Sequence, residues 1–471
     1  MATMLVKNAE VLVTMDDERR EIARGGMFIR DGFVERVGPT DELPSAADTV
    51  LDMSGQVVLP GFVNTHHHLG QTLTRALPAA QNLNLFPWLQ VHYRVWARIT
   101  PEATRTSTIV GLAESALSGC TTMFDHSHIW KGGSKVDHQI AAAEEIGMRF
   151  HASRGSLSLG QSDGGLPPDE VTEDEDFILE DCRRVIEEYH DASRGSMLRI
   201  VLSPCSPFSV TSDLLANTAE LAREYESVGL HTHLAETLDE EHYTLERYGQ
   251  RPVQWMEAVD WLGSDVWFAH AVHVNADEIR QFAATGTGVA HCPNSNMRLA
   301  SGIAPVKAYR DAGVDVGIGV DGSASSDASN LLLEVRQAMY LARLKMALRP
   351  PEGPMTVLST SHPLRRDEWV TARDAIEIGT RGGAAVLGRD DIGHLAPGMC
   401  ADFFSVALNT IDLAGGMADP VASLIFCAPQ KTTYTVVNGE IIVQDGRIAT
   451  VDMGPVLEEH QRHAQQLLTD E

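Results

Sequence analysis

The chain is poor in paired cysteine and in positive charge. Its six cysteines (Cys120, Cys182, Cys205, Cys292, Cys400 and Cys427) are scattered, with no CxxC pair. That excludes a thiolate zinc cluster and argues against a disulfide framework, so a reduced, cytoplasmic setting is expected. Lys and Arg number 37 against 65 Asp and Glu, a formal charge of −28. Nucleic acid and anionic membranes are bound by clustered Lys and Arg, so neither is expected as a partner. No apolar run approaches the roughly 20 residues that span a bilayer. Met1 to Asp16 carries no basic segment followed by an apolar core and cleavage site. No repeat of solenoid length stands out. No Gly-x-Gly-x-x-Gly follows the first long apolar run, which weighs against a doubly wound dinucleotide fold.

What is present fits a globular enzyme of 471 residues, long enough for a barrel-sized domain and an accessory one. Residues 1–57 read as short strands with tight turns, including Met27 to Gly38 about an Asp-Gly turn. From 58 to 388 strand-like runs alternate with helical segments. The runs begin at Val58, Thr121, Met148, Leu198, Gly229, Val266, Gly288 and Val314, eight in all, with helices such as Pro101 to Ser118 and Ala276 to Thr285 between them. Eight βα repeats predict an α/β fold, a closed (β/α)8 barrel, with an open doubly wound sheet as the alternative. Strand texture returns over 389–450, with an Asn-Gly hairpin at Asn438, and 451–471 reads as a terminal helix. Both β-rich ends are expected to join in one composite β-sandwich outside the barrel. The Gly/Pro/acid-rich stretch 156–176 is either a cover over the site or a surface excursion.

Active sites of barrels sit at the C-terminal ends of the strands. Here the first run ends in His66-His67-His68, the fifth in His231-Thr-His233-Leu-Ala-Glu236, the sixth in His270-Ala-Val-His273, the seventh in His291-Cys-Pro and the eighth in Asp321-Gly-Ser. Alternation along a strand sends His66 and His68 one way and His67 the other. Those two imidazoles, one from the fifth run and Asp321 suit a single divalent cation with room for water. His231 and His233 share a face, and spacing does not choose between them. Glu236 lies where strand gives way to loop, better placed to carry protons than to ligate. The fourth run, Leu198 to Cys205, offers no lysine for bridging two metals, so a mononuclear site is expected. His273 and His291 read as supporting residues.

Taken together these motifs resemble the deaminase and chlorohydrolase branch of the amidohydrolase superfamily. Leu59-Pro-Gly-Phe-Val-Asn-Thr-His-His-His is similar to its His-x-His signature, His233-Leu-Ala-Glu236 to its His-x-x-Glu, and Ala269-His270 and Gly319-Val-Asp321-Gly to its sixth- and eighth-strand motifs. The resemblance implies His66, His68, His233 and Asp321 as ligands of one metal per subunit, zinc with iron as the alternative. It implies that metal-activated water attacks a ring carbon bearing the leaving amine. Glu236 would protonate the ring nitrogen, His270 would steady the developing charge, and Asp321 would pass the water proton to the amine. The stretches around Gln71, Gln81, Arg154, Cys205 and Asp327 further resemble bacterial 8-oxoguanine deaminases, which form urate and ammonia. They partly resemble s-triazine hydrolases and pterin deaminases as well, and guanine or isocytosine are further candidate substrates. A homo-oligomer is the family habit.

Four residues are candidate substrate contacts. The Gln71 amide can pair with a purine edge or satisfy backbone. Arg154 can meet a ring carbonyl or pair with nearby acids. Cys205 can line the pocket as a small apolar group rather than a nucleophile. Trp88 can stack on a planar base or serve the core. A barrel that has lost its metal and acts as an assembly protein is the non-catalytic alternative; the presence of the whole ligand set argues against it.

Overall fold

A computed structural model describes residues 2–348, 369–427 and 431–469. Eight parallel strands close into a barrel: β1 (Phe62–Asn64), β2 (Cys120–Asp125), β3 (Arg149–Ser156), β4 (Leu198–Pro204), β5 (Gly229–Leu234), β6 (Val266–His270), β7 (Gly288–His291) and β8 (Val316–Ile318). Closure runs from β8 to β1 through Ile318 and Asn64, which rules out the open doubly wound sheet. Every residue of β2, β3, β6 and β7 is buried, as expected for strands covered on both faces. The intervening helices carry their own stop and start signals. Thr100 caps Pro101–Ala116 by accepting from Ala103 N. Asn275 and Glu278 form a capping box on Ala276–Thr285, which ends at Gly286 with φ +77°.

The two chain ends meet in one sheet domain. Thr3–Val13 pairs with Glu21–Arg30, Thr49–Asp52 and Gln56–Pro60. Gln56–Pro60 then pairs antiparallel with Phe403–Ala407, which pairs with Tyr434–Val437. Nine strands thus form one hydrogen-bonded sheet rather than two separate ladders. Met4, Val6, Leu12 and Val58 share an apolar cluster with Phe403 and Val436. A last helix, Met453–Thr469, buries Val456 and Leu467; residues 470 and 471 lie outside the described residues. Among the described residues, no helix is long and apolar enough to cross a membrane.

The run 58–68, read above as one strand, is three pieces. Gln56–Pro60 belongs to the terminal sheet, Phe62–Asn64 to the barrel, and His67–His68 pairs in a separate two-residue ladder with Asp321–Gly322. The break falls at Gly61, where a Cβ would stand 1.9 Å from Thr121 Oγ1. Pro60 before it lacks an N–H and cannot extend a ladder on both sides. The segment 157–174 is packed against the molecule. Leu157 and Val171 join Trp88, Cys205 and Phe208 in one cluster, and the Tyr243 hydroxyl donates to Gly164 O at 3.1 Å.

Barrel and sheet are joined by a buried ion pair. Arg149, opening β3, donates to Asp402 through Nε at 2.9 Å and Nη2 at 3.0 Å, and through Nη1 to Gly195 O and Ser196 O. Both side chains are at most 2% exposed. Asp402→Ala leaves the guanidinium charged and unmatched, and a stability loss of about 3–5 kcal/mol is expected. Urea unfolding of the variant beside the parent measures it, and a change under about 1 kcal/mol would contradict this account.

Candidate active site

The barrel brings His66, His68, His233 and Asp321 together, with one ligating atom from each within 4.8 Å of the others. Asp321 Oδ1 lies 3.2 Å from Nε2 of both His66 and His68. His68 Nε2 and His233 Nε2 are 3.1 Å apart. The backbone fixes this convergence. Asp321 N donates to His66 O at 3.0 Å, and His126 N to His67 O at 2.7 Å, so the triplet is clamped between the ends of β8 and β2. Asp125 Oδ1 holds the next turn by accepting from Leu69 N at 2.6 Å.

The second ring nitrogens report the protonation pattern. His68 Nδ1 donates to His126 O at 2.5 Å, and His233 Nδ1 to Cys205 O at 2.6 Å. His66 Nδ1 faces His231 Nε2 at 2.8 Å, and His231 Nδ1 donates to Trp267 O at 2.9 Å. Each carbonyl accepts a proton and has none to give, so Nε2 of His68 and of His233 is a lone pair. The same chain of reasoning makes His66 the donor to His231 and leaves its Nε2 a lone pair too. Buried His66 Nε2 has no hydrogen-bond partner among the described residues. Two imidazole lone pairs at 3.1 Å repel unless a cation lies between them. Three neutral nitrogens and one carboxylate therefore fit a divalent metal. Of the two histidines that spacing left open, His233 is in the cluster and His231 stands behind His66.

Three polar groups complete the mouth. His270 Nδ1 faces Asn296 Oδ1 at 2.9 Å, which turns Nε2 toward Glu236 Oε2 at 3.6 Å and Asp321 Oδ2 at 3.8 Å. Glu236 Oε1 accepts from Ser301 Oγ at 3.1 Å. Burial pushes the Glu236 carboxyl above its usual range, with His270 opposing. Burial pushes Asp321 up as well; positive charge against it, on the His66 and His68 rings or on a cation that they hold, outweighs burial and keeps the group well below the carboxylate range. Two buried carboxylates side by side thus differ in proton affinity, the pattern of an acid and a base.

A cavity above them is lined by Gln71, Leu85, Trp88, Tyr93, Trp96, Cys205, Phe208 and Leu299, together with Glu236, His270 and Asp321. Gln71, Trp88 and Cys205 therefore reach it. Gln71 Oε1 accepts from Ala324 N at 3.3 Å, and a Cβ at Gly322 would sit 1.7 Å from that oxygen. Arg154 does not reach the cavity. Its guanidinium is bonded to Asp181 Oδ2 at 2.6 Å, to Glu173 at 3.1 Å and to Gly155 O, the acid pairing that was its alternative. His67 turns away from the ligands to Ser329 Oγ at 2.9 Å. His273 braces Ser301 through its carbonyl at 2.7 Å, and His291 is buried outside the ligand cluster.

Several working residues escaped the sequence reading. Beside the expected Trp88, the helix Leu85–Trp96 lines the cavity with Leu85, Leu89, Tyr93 and Trp96, a helical period that was there to be read. Glu240, one turn past Glu236, accepts from Ala235 N at 2.6 Å and Glu236 N at 3.2 Å. Burial pushes its carboxyl up to about 8. Asn296, which orients His270, carries no signal beyond its place after β7.

The amidohydrolase family matches residues 57–442, and the chain belongs to that family; it is a hydrolase. It is 45% identical over 449 residues to the 8-oxoguanine deaminase of Pseudomonas aeruginosa, covering 95% of each chain. It is 36% identical over 470 residues to the hydroxydechloroatrazine ethylaminohydrolase of a Pseudomonas species, covering 96% of this chain and 93% of that one. Among solved structures, the atrazine chlorohydrolase of Arthrobacter aurescens TC1 complexed with zinc superposes with a TM-score of 0.89 at 31% identity, covering 98% of this chain and 100% of that one.

The position of His231 generates a test. His231→Ala removes the acceptor that sets the His66 tautomer while leaving all four ligating side chains in place. Metal affinity, read by competition with a chelator, is expected to fall about 10–100-fold. An unchanged affinity would sever His231 from the metal site.

Proposed function

We propose that the protein deaminates an aromatic nitrogen heterocycle by hydrolysis, and that 8-oxoguanine, giving urate and ammonia, is its substrate. The observation that carries the reaction class is geometric: Glu236 Oε2 and Asp321 Oδ2 flank His270 Nε2 at 3.6 and 3.8 Å, at the mouth of a four-ligand cluster. A divalent metal, zinc in this reading, when bound by His66, His68, His233 and Asp321, lowers the pKa of water to about 7.

The chain's own groups do the rest. Glu236 holds a proton at the cavity edge and delivers it to the ring nitrogen beside the reacting carbon. His270, fixed by Asn296, faces the oxygen side of that carbon and steadies charge there. Asp321 Oδ2, steadied by Ser325 Oγ at 3.0 Å, receives the water proton and returns it to the departing amine. Trp88, Tyr93, Trp96 and Phe208 form an aromatic wall suited to a planar ring. Gln71 offers an amide to the ring edge. The kinship to an 8-oxoguanine deaminase supports the choice of base. Hydrolysis of an aminated or chlorinated triazine is the second reading, favoured by the triazine hydrolases among the similar structures. Five buried thiols suit the cytoplasm, and a homo-oligomer is tested by mass in solution.

Ammonia release on 8-oxoguanine, guanine, isocytosine, isoxanthopterin and a triazine ranks the candidates. The highest kcat/KM is expected on 8-oxoguanine, and a clear preference for another base would overturn the choice. Glu236→Gln is expected to retain its metal while kcat drops about 10²–10⁴-fold; loss of the metal would make Glu236 a ligand. Chelation is expected to abolish turnover and zinc to restore it. Recovery with ferrous iron alone would change the metal.

A further inference from the structure

Beside the ligand cluster lie three donors that the reaction above does not use. His126 and His128 follow the end of β2, and Cys205 follows the end of β4. All three are buried. Among the described residues, both ring nitrogens of His126 and Nε2 of His128 have no hydrogen-bond partner, a rare state for buried polar groups and one that asks for a ligand. Cys205 Sγ lies 4.0 Å from His233 Nδ1 and beside the Ser206 and Ser209 hydroxyls. One ligating atom from each of the three lies within 4.8 Å of the others, so small side-chain rotations bring them onto one ion at about 2.0–2.3 Å. His126 also approaches His66 and His231. Those two are already bonded to each other and to Trp267 O, which leaves His128 and Cys205 as its available partners.

We propose that His126, His128 and Cys205 form a second site for a soft divalent cation such as zinc, and that its occupancy inhibits the enzyme. Two imidazoles and a thiolate select zinc, cobalt or cadmium over magnesium and calcium. Cys205 binds as the thiolate and its proton passes to water. This site is the weaker of the two. The His68 and His126 ring centroids are 5.3 Å apart, so its cation sits close to the one held by His68, and like charges at that range repel. Inhibition follows from place: His128 and Cys205 line the cavity that contains Glu236 and His270, and an ion there occupies substrate space. The inhibitory part rests on the function proposed above; the binding part does not.

Cobalt(II) titrated into enzyme holding one zinc per chain tests both parts. A second metal equivalent is expected, with a near-ultraviolet thiolate-to-cobalt absorption that the His/Asp cluster cannot produce, and with loss of turnover in step on whichever base proves the best substrate. Cys205→Ser is expected to abolish the absorption, and His126→Asn to weaken the second equivalent at least about tenfold while the first is kept. A single equivalent in the parent protein overturns the site. So does a second equivalent that lacks the absorption and persists in both variants. A second equivalent with the absorption but full turnover overturns the inhibition alone. The parent titration decides even if a variant does not fold.

Discussion

An imidazole can offer a lone pair to a cation only if its other nitrogen has somewhere to place a proton. The whole barrel mouth is arranged around that requirement. His68 places its proton on the carbonyl of His126 and His233 on that of Cys205, while His66 hands the problem to His231, which solves it at Trp267. Two of the carbonyls lie just past the C-terminal ends of β2 and β4, and the third belongs to the second residue of β6. Register between neighbouring strands therefore decides the tautomer of each ligand, and a barrel not yet closed has no metal site. The donor pattern is a property of the backbone as much as of the histidines.

The price of holding these groups is visible in the main chain. Ala235, His270, Ala271 and Asp321 all have positive φ, at 51°, 69°, 43° and 62°. None is glycine, and each such residue stores about 1–3 kcal/mol of strain. The strain is offset nearby. Glu240 binds the two amides that follow His233-Leu234, and Asp321 N is tied to His66 O. The turns that aim Glu236, His270 and Asp321 are thus over-determined by hydrogen bonds, which is what a preorganised site requires.

The barrel was legible because short β-rich runs alternate with helical segments eight times and several of the runs end in His, Glu or Asp, and chemistry at a strand end leaves a mark that packing does not. The same logic singled out His66, His68, Asp321 and one of His231 and His233; the family resemblance named His233, the one the structure places in the cluster. What failed to show was anything set by three-dimensional neighbours. Arg154 stands two residues before the end of β3, yet Asp181 and Glu173 capture it from a helix and a loop, partners that no local pattern reveals. Asn296 turns His270 from a short helix after β7. The run 58–68 misled because three different neighbours share one apolar stretch; the close approach of Thr121 at Gly61 divides the first two pieces, and a second break follows Asn64.

The terminal sheet has a kinetic meaning. Gln56–Pro60 lies between Thr3–Val13, which is near in sequence, and Phe403–Ala407, which follows it by more than 340 residues. While a ribosome makes the barrel, one side of that strand has only water to bond. An apolar strand with a free edge recruits other strands, so the nascent chain is most prone to aggregate during this interval. Joining so distant a pair is also a slow event. Release of the last strands ends the exposure, and only then is the sheet sealed against the barrel that its first half preceded.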